Sequence, residues 1–243
     1  MPVAAILAGG VAKRLYPDTE KIPKSLIEVG GFPFIFHQLA LLKREEITGI
    51  VLCAGKFGEQ IREVVGDGAE FGISVEYSFD GDTLWGTGGA IRKALPILGD
   101  LFWVFYGDSY LDTRYPPILE AFTAQEKPGL MTVYENRGRW DTSNVVFRDG
   151  KLLNYDKKNL TPDMHHLDYG ISLFRKEVFS GYPESEYLDL ADVHSHLLKN
   201  KKLMGFEVYN RFYEIGSPKG QKEFDDYVGN NGSAYTNNRM GQA

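Results

Sequence analysis

The sequence predicts an α/β fold, with a mixed, mainly parallel sheet flanked by helices. Three observations predict it. Short apolar runs alternate with stretches of helical length through the first half of the chain, which is the pattern of βαβ units. The first run, Val3-Ala4-Ala5-Ile6-Leu7, leaves through Ala8-Gly9-Gly10, the kind of strand exit at which open α/β sheets bind ligands. The 243 residues are 43% hydrophobic and 25% charged, an ordinary globular mix with ample material for a core.

Taken in order, Val3–Leu7 reads as a strand. Pro33 starts a helix over Phe34–Arg44, because its fixed φ and missing N–H suit a first turn. Gly49–Ala54 is a strand and Gly58–Val65 a helix. Strands follow at 73–78, 102–106 and 130–134, with helices at 88–95 and 117–125 between them. This order is Rossmann-like. The second half is less regular. Residues 143–147 and 152–155 flank Asp149-Gly150, a hairpin signal. Strands at 169–174 and 203–209 bracket a helix at 188–199, and a helix at 218–228 closes the fold behind Pro218. From Gly229 the chain is polar and rich in Gly and Asn, so 229–243 reads as a flexible tail. There is no internal repeat and no clear linker. The expectation is one domain over 1–228, divided into a half at about 1–134 and a half at about 135–228.

Several classes are excluded or disfavoured. A net charge of −6 argues against generic nucleic-acid binding. The single cysteine, Cys53, allows no internal disulfide and fits a reducing compartment; its apolar setting reads as a buried structural thiol. No apolar run approaches the ~20 residues of a membrane span, and the N-terminus has no signal-peptide pattern. The expected location is cytoplasmic. His165-His166 and His194/His196 match no strong metal spacing, and G-x-S-x-G is absent.

The candidate chemistry lies elsewhere. Gly9-Gly10 followed by Lys13-Arg14 suits a phosphate, with a tight turn and two surface cations as the plain alternative. It fits neither G-x-G-x-x-G nor the Walker pattern. Lys24, after Pro23, is either surface or a third cation for a polyphosphate. Gly86-Thr87-Gly88-Gly89 opens a helix, and either receives an anion or base or merely permits the turn. Asp108 ends an apolar strand, where it is a Mg²⁺ ligand or an Asx-turn residue, and Glu214 precedes the last helix.

As an ordered set, Leu7-Ala8-Gly9-Gly10-Val11-Ala12-Lys13-Arg14-Leu15-Tyr16-Pro17, Pro23-Lys24, Trp85-Gly86-Thr87-Gly88-Gly89-Ala90, Gly107-Asp108 and Glu214-Ile215-Gly216-Ser217-Pro218 resemble the sugar-1-phosphate nucleotidyltransferases. The resemblance covers about residues 2–228 and implies the nucleotide-diphospho-sugar transferase fold, with a nucleotide half first and a sugar-side half second. It implies that Leu7, Ala8, Gly9 and Gly10 cradle base and ribose, and that Gly88 and Gly89 pass close to the base. It places Arg14, with Lys13, on the β- and γ-phosphates, and Lys24 between the α-phosphate and the attacking phosphate. Asp108 and Glu214 would hold Mg²⁺, while Lys157, Asp156, Tyr169 and Gly170 would meet the sugar phosphate. The departures are Ala12-Lys13 for Gly-Thr, Trp85 for Leu, and Glu214 for the commoner Asp.

The implied reaction joins a nucleoside triphosphate to a sugar 1-phosphate. The compact size is similar to enzymes using GTP with heptose or mannose 1-phosphate. UTP- or CTP-dependent transfer, a non-sugar phosphate or phosphonate acceptor, and a non-catalytic sensor are the alternatives. The polar, aromatic segment 136–144 reads as a sugar-side loop or an exposed connection. The sequence does not assign an oligomeric state.

Overall fold

The structure is a computed structural model that describes residues 1–10, 22–81, 83, 85–184 and 186–240, with side chains to 237. Strands β1 (Val3–Leu7), β2 (Glu28–Val29) and β3 (Phe32–Pro33) precede helix α1 (Phe34–Arg44). Next come β4 (Gly49–Ala54), α2 (Gly58–Val65), β5 (Ser74–Phe79), α3 (Gly86–Leu98), β6 (Leu101–Tyr106), β7 (Ser109–Tyr110) and α4 (Pro116–Thr123). Then follow β8 (Gly129–Glu135), β9 (Val145–Arg148), β10 (Lys151–Tyr155), β11 (His166–Arg175), α5 (Leu190–Lys199) and β12 (Leu203–Val208). The chain closes with β13 (Tyr213–Glu214), α6 (Pro218–Asn231) and α7 (Ala234–Met240).

The chain forms two compact units: Met1–Leu84 with Phe105–Tyr110 and Phe212–Ala243, and Trp85–Val104 with Leu111–Arg211. The expected division near residue 134 is therefore replaced by a discontinuous one. In the first unit β1, β4 and β5 are parallel, with Leu7 opposite Cys53 and Cys53 opposite Ser78. Their matched C-terminal ends release three loops side by side, which a βαβ connection produces from strands of equal length. Helix α1 buries Phe34, Ile35, Leu39, Leu41 and Leu42, the spacing of a helix with one broad apolar face. The Cys53 thiol is buried, and burial raises its pKa far above the ordinary range, so it is inert packing.

The second unit is mixed. Strand β8 pairs antiparallel with β11 and parallel with β12, and β9–β10 form the expected hairpin. Asp149 and Gly150 both take positive φ at its turn, as a type I′ turn requires. β11 begins at His166 rather than 169, because its pairing with β8 continues to His166↔Glu135 across an irregularity between Asp168 and Ser172.

The stretch from Gly229, expected to be a tail, is a correction: α6 runs to Asn231 and α7 reaches Met240. The Tyr235 ring lies 5.0 Å from Phe32 and 5.4 Å from Phe36, and Ser233 Oγ lies 2.6 Å from His37 Nδ1. One aromatic anchor and one buried polar bond outweigh the polar composition. Among the described residues, no helix is long and apolar enough to cross a membrane.

Candidate active site

The first unit brings together three of the expected residues. Lys24 opens a short 3-10 turn behind Pro23, whose extended backbone directs it. Its Nζ lies 2.8 Å from Asp108 Oδ2, an ion pair open to solvent on one side. Asp108 sits in the turn between β6 and β7, where Ser109 Oγ donates to its Oδ1 at 3.2 Å. Glu214 lies opposite Ser109 on β13, and the Ile215 N–H donates to the Asp108 carbonyl at 2.9 Å. Glu214 Oε2 accepts from the Gly216 amide at 2.5 Å, and Oε1 accepts from Ser217 Oγ at 2.5 Å. Ser217 also caps α6 by accepting from the Gly220 amide.

Gly216 marks the focus. A Cβ there would lie 2.9 Å from Glu214 Oε2, 3.2 Å from Lys24 Nζ and 3.4 Å from Asp108 Oδ2. The missing side chain lets all three polar atoms close in on the Gly216 backbone, where a Cβ would crowd them. Two carboxylates gathered about one glycine suit a divalent cation, since Mg²⁺ takes one or two carboxylates and completes its shell with substrate phosphates and waters. The Lys24 ammonium balances the acids.

The strand exits are built for close approach. The Ala8 amide donates to the Ile6 and Cys53 carbonyls at 3.0 and 2.9 Å. A Cβ on Gly9 would press on Gly55 N at 3.2 Å, and one on Gly55 would press on the Gly9 carbonyl at 3.0 Å, so two backbones pass in contact where side chains would hold them apart. Leu7 ends β1, and Gly10 ends the described segment. Lys13 and Arg14 lie outside the described residues, as do Val11, Ala12 and Leu15.

In the second unit the expected residues differ among themselves. Gly88 and Gly89 stand in the first turn of α3, and both amides donate to the Leu188 carbonyl, at 2.9 and 3.0 Å. A Cβ on Gly88 would meet the Leu188 side chain, so these glycines seat the 186–188 segment on the helix start. Asp156 is consumed by its own turn. Its Oδ1 accepts from the Lys158 and Asn159 amides at 2.7 and 2.9 Å, and its Oδ2 from Asn159 Nδ2 at 2.9 Å. Those bonds, led by the Asn159 amide, hold its pKa below the ordinary carboxylate value. It is an Asx-turn residue, part-exposed at the surface beside Lys157.

Lys157 Nζ lies 5.9 Å from the centre of the Tyr155 ring. Tyr169 is buried on β11 against Tyr134, and Gly170 takes φ +107° beside it, its amide donating to Asp168 Oδ1 at 3.1 Å. Around them lies a polar interior. Burial, then the charges of Asp168 and Asp189, raises the Tyr155 pKa far above its usual range. His194 is fully buried, stacked on Phe174, with Nε2 3.1 Å from Ser172 Oγ. Burial lowers its pKa to about 4, so it is neutral at physiological pH. Among the described residues, no three His, Cys, Asp or Glu side chains are placed to hold a metal ion.

The 136–144 segment is tightly built. Asn136, fully buried, donates to the Asp141 carbonyl at 2.6 Å and to Ser143 Oγ at 3.0 Å, and the Arg211 guanidinium lies 3.5 Å over the Trp140 ring. The sequence reading missed Gln38, whose amide reaches two carbonyls beside Asp108. The available signal was a polar residue on the apolar face of Phe34–Arg44.

Residues 3–211 match the family model described as nucleotidyl transferase. Among curated proteins, the chain is 28% identical over 232 residues to an N-acetylmuramate alpha-1-phosphate uridylyltransferase of Neisseria meningitidis serogroup B, covering 93% of this chain and 98% of that protein. It is 29% identical over 240 residues to a D-glycero-alpha-D-manno-heptose 1-phosphate guanylyltransferase of Aneurinibacillus thermoaerophilus, covering 93% and 99%. A crystal structure from Bacillus anthracis, provisionally named a glucose-1-phosphate thymidylyltransferase and complexed with a sucrose, aligns at TM-score 0.82 and 26% identity, covering 93% of this chain and 94% of that one.

Proposed function

The chain belongs to the nucleotidyl transferase family, and we propose that it transfers a nucleoside monophosphate from a nucleoside triphosphate to a sugar 1-phosphate, releasing pyrophosphate. The observation that carries this reading is the gathering of Lys24, Asp108 and Glu214 around Gly216. That arrangement suits phosphates rather than covalent catalysis by a nucleophile and its general base.

The reaction needs neither. A phosphate monoester has a second pKa of about 6 and is mostly dianionic near neutral pH. One acceptor oxygen bonds to the α-phosphorus as the α–β bridging bond breaks, and the bonding pair leaves with pyrophosphate. The protein supplies position and charge. Lys24 exchanges part of its hold on Asp108 for oxygens of the α-phosphate and the incoming phosphate. Asp108 and Glu214 would hold a divalent cation, which we assign as Mg²⁺ and which would supply charge neutralisation on the triphosphate. Ser217 and the Gly216 amide keep the Glu214 carboxylate turned toward that place. Leu7 to Gly10 cradle base and ribose with their backbone, and Arg14 with Lys13 meets the β- and γ-phosphates. Gly88 and Gly89 pass near the base, and Lys157, Tyr169 and Gly170 meet the sugar phosphate.

We favour GTP with a heptose or mannose 1-phosphate, a choice supported by the heptose 1-phosphate guanylyltransferase relative. The uridylyltransferase relative supports UTP as the second reading. The test is pyrophosphate release with Mg²⁺, the four ribonucleoside triphosphates and dTTP, against a panel of sugar 1-phosphates. Release with one GTP–sugar pair is expected. Release with UTP alone replaces the base assignment, and release only when phosphocholine or a phosphonate is added in place of the sugar 1-phosphates replaces the acceptor.

A further inference from the structure

The Gly107–Asp108 turn is held by four hydrogen bonds within the first unit. The Gly107 amide donates to the Leu7 carbonyl at 3.2 Å, and the Asp108 carbonyl accepts from Ile215. The other two bonds come from one side chain. Gln38 Nε2 donates to the Tyr106 carbonyl at 3.0 Å and to the Ser109 carbonyl at 2.8 Å. These carbonyls are the two flanks of the turn. Gln38 stands on α1 among Phe34, Ile35, Leu39 and Leu42 and is 5% exposed.

The placement is costly for a residue that only fills space. Gln38 Oε1 is buried and has no hydrogen-bond partner among the described residues. A buried unpaired carbonyl is destabilising, and an apolar side chain of similar length would avoid it. What an apolar side chain cannot do is bind both flanking carbonyls. Ser109 lies opposite Glu214, so the same two bonds that fix Asp108 also fix the strand pairing that brings up the second acid.

We propose that Gln38 is a positioning residue: by clamping the carbonyls of Tyr106 and Ser109 it sets the Asp108 carboxylate against Lys24 and Glu214, and so sets the protein's hold on a divalent cation. The inference rests on the function proposed above. It requires two side-chain donors at this reach, so a one-donor residue does part of the work and a no-donor residue does none.

The test uses the full chain as wild type, Gln38→Met, which keeps length and volume but loses both donors, and Gln38→His, which keeps one ring N–H at similar reach. Mn²⁺ binding is read from the EPR signal of free Mn²⁺, thermal unfolding from circular dichroism, and kcat and KM from pyrophosphate release. Gln38→Met is expected to bind Mn²⁺ about tenfold more weakly and to lose about tenfold in kcat. Its KM for the sugar phosphate should stay within about twofold, and its Tm within about 5 °C. Gln38→His should recover much of the Mn²⁺ affinity, binding about two- to fivefold more weakly than wild type. Unchanged Mn²⁺ affinity in Gln38→Met, or equal losses in both variants that follow their Tm, overturns the proposal. Should Gln38→Met not fold, Gln38→His decides alone: a two- to fivefold loss of Mn²⁺ affinity supports the clamp, and an unchanged or abolished affinity in folded protein overturns it. Wild type that neither binds Mn²⁺ nor releases pyrophosphate defeats the proposed function itself. Wild type that does both, beside an indifferent Gln38→Met, defeats only the clamp.

Discussion

The polar residues of the two units are held in opposite ways. Lys24, Asp108 and Glu214 are part-exposed, and each is fixed by one or two bonds that leave room for a ligand. In the second unit His194 is sealed inside with Tyr155 and Ser172, and Asp156, at the surface, closes its bonds on its own turn. The same residue types thus serve different ends. The Asp156 carboxylate, bonded by the Lys158 and Asn159 amides and by the Asn159 side chain, holds its loop, whereas the Asp108 carboxylate, paired with the Lys24 ammonium, can exchange that partner for a phosphate. Reactivity follows from the bonds left available, and a motif that names only an Asp does not record them.

The comparison is broken most forcefully at Lys24. Lys24→Ala is expected to lower kcat about a hundredfold to a thousandfold, because charge stabilisation of the transition state is the main contribution the site makes. Its stability should change by about 1 kcal/mol or less, as for other part-exposed ion pairs. Turnover by pyrophosphate release and Tm measured on the same sample check both halves. A twofold effect on kcat would remove Lys24 from the site.

The sealed region responds to pH instead. The His194 pKa is lowered from 6.5 to about 4 in the folded chain, so the unfolded chain binds the extra proton first. Stability from this group is complete above pH 6.5 and is lost as pH falls from 6.5 toward 4, by on the order of 3 kcal/mol over the whole window. Buried His37 is shifted in the same direction and adds to the slope. Denaturant unfolding across this window should show a shallower pH dependence in His194→Phe than in wild type. Equal slopes would place the acid sensitivity elsewhere.

The smallest effect is expected at Asp156. Asp156→Ala should leave kcat and the sugar-phosphate KM within about threefold of wild type, with a small fall in Tm from the loosened turn. A KM raised tenfold with Tm unchanged would return Asp156 to the substrate.

Much of the fold was legible because local signals agreed with the tertiary outcome. Pro33 and the apolar face of Phe34–Arg44 set that helix, and Asp149-Gly150 set the hairpin. The helix over 229–240 was not legible, since its stability comes from Tyr235 meeting Phe32, Phe36 and Phe71, which are distant in sequence. The site was legible as residue types in order, and Lys24 with Asp108 emerged from that order. The Asx-turn at Asp156 was readable in principle from Asp156-Lys157-Lys158-Asn159, a carboxylate three residues before a side-chain amide. Gln38 was less so. Its role depends on two backbone carbonyls about seventy residues away, which no local pattern reveals.

The central claim is that Lys24 and Asp108 act as one device at the reacting phosphates. A double-mutant cycle of Lys24→Ala and Asp108→Asn, read as kcat/KM for pyrophosphate release with the active substrate pair, tests it most directly. The account predicts that the double variant is no worse than the poorer single variant, to within about threefold. Losses that multiply, each residue costing as much in the absence of the other as in its presence, would contradict it.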